Sequence, residues 1–207
     1  MGDNSERVYA AAVSPDGALL AWAGESGTIT VSSVATGAAV GKWRNWLPEY
    51  ARPYPVFSLR FSRSGETLIS GGDDYAVKIW GLDGKLLKFF QPHYFVTALD
   101  ISNDGNTLVT GSSECLNMQS AIKIWDTASG NERSVLRKRW LSKAYINITG
   151  LSLSPDGAWL ASSSQDGAVR LWDVRRARQK LVLDSPVSTN CVVLKRWPIR
   201  GGWRCSR

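Results

Sequence analysis

Four stretches of the chain share one pattern of apolar and polar positions. They read VYAAAVSPDGALLAWAG from Val8, VFSLRFSRSGETLISGG from Val56, VTALDISNDGNTLVTGS from Val96 and ITGLSLSPDGAWLASSS from Ile148. Each has apolar residues at its first, fourth and sixth places, as at Val56, Leu59 and Phe61, then a Ser, then a Gly three residues further on. Short alternation of this kind predicts a β-strand, a tight turn and a second strand, such as Leu68 to Ser70 or Leu108 to Thr110. The turns carry their own chemistry. In Ser14-Pro15-Asp16-Gly17 and Ser154-Pro155-Asp156-Gly157 the Pro presets φ, the Asp caps its own backbone, and the Gly takes the position that tolerates positive φ. A third strand is predicted in AVKIW, AIKIW and AVRLW, ending at Trp80, Trp125 and Trp172. A fourth is drawn through Lys85 to Phe90 and through Gln179 to Leu183.

Self-similarity at a near-constant period is the signature of a repeat architecture. The endings Ala121-Ile122-Lys123-Ile124-Trp125-Asp126 and Ala168-Val169-Arg170-Leu171-Trp172-Asp173 resemble the third strand of the WD-repeat (Trp-Asp repeat) family, and the resemblance runs through nearly the whole chain. It implies an all-β fold, a β-propeller of four-stranded antiparallel blades. The units fall near 8–40, 56–90, 95–136 and 148–184, with a partial fifth at 185–193, which is short of the seven blades common in the family and implies an incomplete ring. Residues 1–7 are an N-terminal tail. Only seven residues precede Val8, too few for an outer strand of the first blade, which the family is expected to supply from the C-terminal end.

The resemblance also implies a polar set within each blade: a His before the first strand, a Ser or Thr in the second, an Asp six residues before the Trp, and the Trp. Asp74 and Trp80 fit, as do Asp166 and Trp172. Before Trp125, Gln119 holds the Asp place and His93 lies near the His place, while the first unit has Ser26 and Ser32 for Asp and Trp. A half-built buried network stabilises poorly, so the blades are expected to lean on apolar packing.

The anchor serines, Ser14, Ser62, Ser102 and Ser154, are spaced 48, 40 and 52 residues apart. A fifth repeat begins weakly at Ser188 to Val193 and then fails, because Leu194-Lys195-Arg196-Trp197 stands where a turn belongs. Residues 194–207 form a basic tail outside the repeat. Two readings of it stay open: a truncation, by a frame change near Val193, of a longer propeller or propeller enzyme, or a nucleic-acid-binding tail whose Trp rings stack on bases.

Charge sharpens the second reading. The net +7 hides an asymmetry, since residues 1–130 carry 10 Lys+Arg against 13 Asp+Glu, and residues 131–207 carry 15 against 5. The basic half could attract nucleic acid or another polyanion, or equally be a soluble surface with an odd tail. The run Arg175, Arg176, Arg178 and Lys180 reads instead as a solvated edge that discourages strand pairing. Three Cys without ligand spacing and one His offer neither a disulfide framework nor a metal site. No nucleophile elbow or phosphate-binding loop appears, and Asp16, Asp74, Asp156 and Asp166 recur with the repeat as turn builders. No catalytic residue, metal or cofactor is therefore assigned. Nothing reads as a signal peptide or a membrane span, so the expected location is cytoplasmic, or nuclear in a eukaryote.

What remains is binding. Long segments are expected at Gly41 to Pro55, Ser113 to Ser120 and Asn131 to Asn147, all opening on one face. The first offers Trp43, Arg44, Trp46, Tyr50, Arg52 and Tyr54, and the third Arg137, Lys138, Arg139, Trp140, Lys143 and Tyr145. Trp, Tyr and Arg dominate binding hot spots, and long loops on a rigid scaffold are where such groups reside. The bland alternative is that the aromatics cover blade edges while the cations stay solvated. The expected function is thus a non-catalytic protein-interaction scaffold with protein partners, self-association to complete the ring among them, and no membrane partner.

Overall fold

The computed structural model describes residues 6–45, 53–92, 95–113, 121–136 and 147–184. Sixteen strands lie within them, grouped as four antiparallel four-stranded sheets, each a meander in chain order. Sheet one comprises β1 (Val8–Val13), β2 (Leu19–Gly24), β3 (Thr28–Ser33) and β4 (Ala39–Arg44). Sheet two comprises β5 (Val56–Phe61), β6 (Thr67–Gly72), β7 (Val77–Gly81) and β8 (Leu86–Phe90). Sheet three has β9 (Phe95–Ile101), β10 (Thr107–Ser113), β11 (Ile122–Asp126) and β12 (Glu132–Leu136), and sheet four β13 (Ile148–Leu153), β14 (Trp159–Ser164), β15 (Ala168–Asp173) and β16 (Arg178–Asp184). The chain divides into two compact units, Met1–Val96 and Thr97–Arg207. The all-β expectation and the blade pattern hold.

The apolar spacing of one, four and six has a structural cause. A regular strand repeats every two residues, so a step of three would turn one apolar side chain to the wrong face. The ladders absorb the extra residue as an irregularity between Val8 and Ala10, between Val56 and Ser58, and between Ile148 and Gly150. Val56, Leu59 and Phe61 then share one buried face, as do Ile148, Leu151 and Leu153.

In unit one, Val56, Leu59, Phe61, Leu68 and Trp80 of sheet two pack with Ala10, Ala21, Ala23, Ile29 and Val31 of sheet one. Unit two repeats the arrangement. Ile148, Leu151, Leu153, Leu160 and Trp172 of sheet four pack with Ala98, Val109, Ile122 and Ile124 of sheet three. In both seams large side chains on one sheet meet small and β-branched ones on the other, which lets sheets approach closely.

Two expectations need correction. Sheet one has its own outer strand, β4, supplied by the residues that follow β3. The outer strands β4 and β12 also take residues assigned to loops, so the two long connections shrink to residues 45–55 and 137–147. Outer strands are half solvated, and the burial along β4 alternates between exposed and intermediate, so their polar residues imitate a loop. The partial fifth repeat and the tail at 194–207 lie outside the described residues.

Candidate interaction surface

Each sheet has two unlike ends. In sheet one the register sets Gly24 beside Val8 and Arg44 beside Thr28 at one end, and Leu20 beside Val13 and Ala39 beside Ser32 at the other. The second end is closed by local bonds. Ser14 Oγ donates to Asp16 and accepts the Leu19 N–H at 2.8 Å, while Asp16 accepts the Ala18 N–H at 3.0 Å. Ser102 with Asp104 and Ser154 with Asp156 build the same turn. The serine hydroxyl, and after it the backbone N–H, holds Asp16, Asp104 and Asp156 below the ordinary carboxylate range. These aspartates are committed to their turns.

The opposite end carries the long connections and is anchored from beneath. In sheet two, Trp80 Nε1 donates to Ser70 Oγ at 2.8 Å, and Ser70 Oγ donates to Asn45 Oδ1 at 2.6 Å. Asn45 Nδ2 donates to Asp74 Oδ2 at 2.9 Å, and Asp74 also pairs with the buried Lys78 ammonium. Asn45 thus fills the place reserved for His in the repeat's polar set. It escaped the sequence reading because a His was sought; its signal is an amide, able to donate and accept at once, directly after β4. The residue that opens the 45–55 connection is therefore fixed by a buried network, and in this sheet the polar set is more complete than the Asp74 and Trp80 expected of it.

Sheets three and four show parts of it among the described residues. In sheet four Trp172 Nε1 donates to Ser162 Oγ at 2.9 Å, and Arg170 pairs with Asp166 and donates to Ser164 Oγ at 2.6 Å. Burial opposes the charge on Asp166, but the Arg170 and Ser164 hydrogen bonds outweigh it and bring its pKa down to about 2. In sheet three Trp125 Nε1 donates to Thr110 Oγ1 at 3.0 Å, while Lys123 pairs with Glu132 at 2.9 Å and lies 5.4 Å from the Trp125 ring centre. Gln119 and His93 lie outside the described residues.

Of the candidate contact residues, the structure describes three. Trp43 and Arg44 sit in β4 rather than in a loop, and Tyr54 lies half-buried just before β5. The Trp43 ring is tilted 48° against Trp80 at 6.1 Å and covers Gly84, whose φ is +82° and where a Cβ would come within 3.2 Å of Trp43. Arg44 is exposed at the strand end. Trp46, Tyr50, Arg52, Arg137, Lys138, Arg139, Trp140, Lys143 and Tyr145 lie outside the described residues. Among those described, no cluster of three or more His, Cys, Asp or Glu is placed to hold a metal, and no helix is long and apolar enough to cross a membrane.

Residues 49–81, 84–126 and 142–173 match the family described as "WD domain, G-beta repeat". The chain belongs to the WD-repeat family. Its sequence repeat is offset from its sheets: the 84–126 match begins beside β8, the outer strand of sheet two, and ends with β11 of sheet three. This WD-repeat chain is 30% identical over 166 residues to the COMPASS component SWD3 of Saccharomyces cerevisiae, covering 77% of the chain and 49% of that protein. It is 28% identical over 110 residues to the target of rapamycin complex subunit LST8 of the same yeast, covering 52% of the chain and 33% of LST8. To the pre-rRNA-processing protein IPI3 of Mycosarcoma maydis it is 29% identical over 142 residues, 59% of the chain and 23% of IPI3. The chain thus spans about half or less of these relatives. One is named as a component of COMPASS and another as a subunit of the target of rapamycin complex, and WD-repeat membership is consistent with a role in protein interaction.

Proposed function

We propose that this protein is a non-catalytic interaction scaffold that holds protein partners at the end of its sheets where the long connections leave. The observation that carries the reading is the difference between the two ends. One is closed by short self-bonded turns; the other launches a connection from Asn45, whose side chain is held by Ser70 and Asp74. A pinned base lowers the ordering cost that a loop incurs on binding. The contact set on this reading is Arg44, Trp46, Tyr50 and Tyr54 in the first connection and Arg137, Arg139, Trp140 and Tyr145 in the second. Trp43 contributes as the packing that seats β4. Membership of SWD3 and LST8 in named complexes supports protein partners, and the location would be cytoplasmic or nuclear.

Site-specific photo-crosslinking in the native cell tests this. A crosslinker at Arg44 or Tyr54 is expected to trap the same discrete protein, and one at Ala35 or Arg63, on the closed end, to trap none. Equal adducts from both ends, or adducts from Ala35 and Arg63 alone, would overturn the reading.

A second reading has one observation in its favour: Arg175, Arg178 and Lys180 are exposed around the β15–β16 turn. If that edge binds nucleic acid, affinity would fall steeply as salt rises.

A further inference from the structure

Tyr75, in the β6–β7 turn, holds a backbone conformation that the repeat elsewhere gives to glycine. Its φ is +58°, in the left-handed region that a residue with a Cβ enters at a cost. The residue at the same place in sheet one is Gly27 at φ +66°, and in sheet four Gly167 at φ +79°, directly after Asp166 as Tyr75 is directly after Asp74. Backbone strain of this kind persists where the surroundings hold it, and it gathers at binding sites. Ala177, at φ +48°, shows that this scaffold tolerates such strain with only a methyl group to offer. At Tyr75 the strain comes with a large side chain that is 45% exposed.

The ring is fixed on one side. Phe95 stacks against it with centroids 4.9 Å apart and planes 25° apart. The turn beneath the ring is clamped by both ends of the first long connection. Asn45, which opens the connection, donates to Asp74 at 2.9 Å, and Pro55, which closes it, accepts the Asp73 N–H at 2.9 Å. The exposure of Tyr75 does not come from a chain end, since its turn lies between two paired strands of an internal sheet and Phe95 already covers one side of the ring.

We infer that Tyr75, stacked on Phe95, is a fixed aromatic contact of the interaction surface and takes a planar side chain of the protein partner, an aromatic ring or an arginine guanidinium, on its exposed side. The inference rests on the proposed scaffold reading and adds to it a contact residue outside the long connections. A planar group fits because an offset stack of two rings is extended by a third ring or by a guanidinium laid over the face. A ring held by its neighbour and by a strained turn has little freedom left to lose on binding, which is what makes a tyrosine an effective anchor.

The experiment places a photo-crosslinker at Arg44 of the full chain in the native cell, identifies the trapped protein by mass spectrometry, and repeats the measurement with Tyr75→Gly, Tyr75→Asn and Tyr75→Phe. Gly and Asn both accept the turn's backbone without a ring, so each variant is expected to melt within about 4 °C of the parent. The adduct to the identified protein is expected to fall about tenfold in both and to persist in Tyr75→Phe, which keeps the ring. An adduct from the parent that is unchanged in the Gly and Asn variants would overturn this inference alone, as would its loss in Tyr75→Phe. A melting temperature lowered by more than about 10 °C in both ringless variants would assign Tyr75 to holding the fold and overturn it as well. No adduct from Arg44 in the parent would overturn the scaffold reading and this inference together.

Discussion

The first three strands of sheets one and two share the same bulge and the same register, yet the two sheets are held differently. A shift of 48 residues carries Ser26 onto Asp74, Thr30 onto Lys78, Ser32 onto Trp80 and Trp22 onto Ser70. The Trp and its hydroxyl partner have in effect changed places in sheet one. Sheet two closes a buried circuit through Trp80, Ser70, Asn45 and Asp74. In sheet one the Ser32 hydroxyl is buried without a hydrogen-bond partner, and Ser26 is bonded by Glu6 instead. The comparison teaches that the polar set is not needed to form a four-stranded blade, which the ladder and one buried face suffice to make. What the set adds is a fixed relation between the β6–β7 turn, where Asp74 sits, and the start of the connection at Asn45.

The largest way to break the comparison is to strip Asp74 from under Lys78, whose side chain is only 6% exposed. Asp74→Ala leaves a buried ammonium without its partner and is expected to cost about 3–5 kcal/mol in denaturant titration, whereas Ser26→Ala in sheet one costs under about 1 kcal/mol. Adding Lys78→Met to Asp74→Ala should recover most of the loss, because the uncompensated charge goes with it. Next in size, Asn45→Ala removes a donor to Asp74 and the acceptor for Ser70, and about 1–3 kcal/mol should disappear in the same titration.

A pH series sharpens the comparison through sheet four, which has the Asp and Arg that sheet one lacks. The folded pKa of Asp166 is lowered to about 2, so its pairing stabilises fully above the ordinary aspartate range and is lost as pH falls from about 4 to about 2. Asp166→Asn should flatten the stability profile over that window and leave it unchanged near neutrality apart from a constant offset. The smallest effect is expected at Ser32→Ala, which deletes an unsatisfied buried hydroxyl. A change of less than about 0.5 kcal/mol, or a slight gain in melting temperature, is the anticipated outcome.

Much of this was legible in the chain because the repeat announces itself at several levels at once. The Val56, Leu59, Phe61 spacing, the Ser-Pro-Asp-Gly turns and the Ile-Trp endings all agree on the same strands. The outer strands were less legible: Gly41-Lys42-Trp43-Arg44 has no clean alternation, since one face of an outer strand meets water, and it was read as loop. Asn45 was missed because the polar set was sought by residue type rather than by what an amide can donate and accept. Trp43 was weighed as a contact residue from its type alone, and only the packing on Trp80 and Gly84 shows it seated in the seam. The exposure of Val8 could not be read from composition at all: Val8 and Val56 sit in like patterns, and only the fold reveals that one is covered and the other is not.

Hydrogen exchange resolved by mass spectrometry, on the intact chain, tests the central contrast most directly by comparing β1 with β5 and the Gly24–Thr28 turn with the Gly72–Val77 turn. With one face uncovered and no polar circuit, β1 should exchange by local opening, while β5 and the Asp74 turn exchange only with global unfolding and lose that protection selectively in Asn45→Ala. Equal protection of β1 and β5, or an Asn45→Ala chain whose Asp74 turn stays as protected as before, would contradict the account.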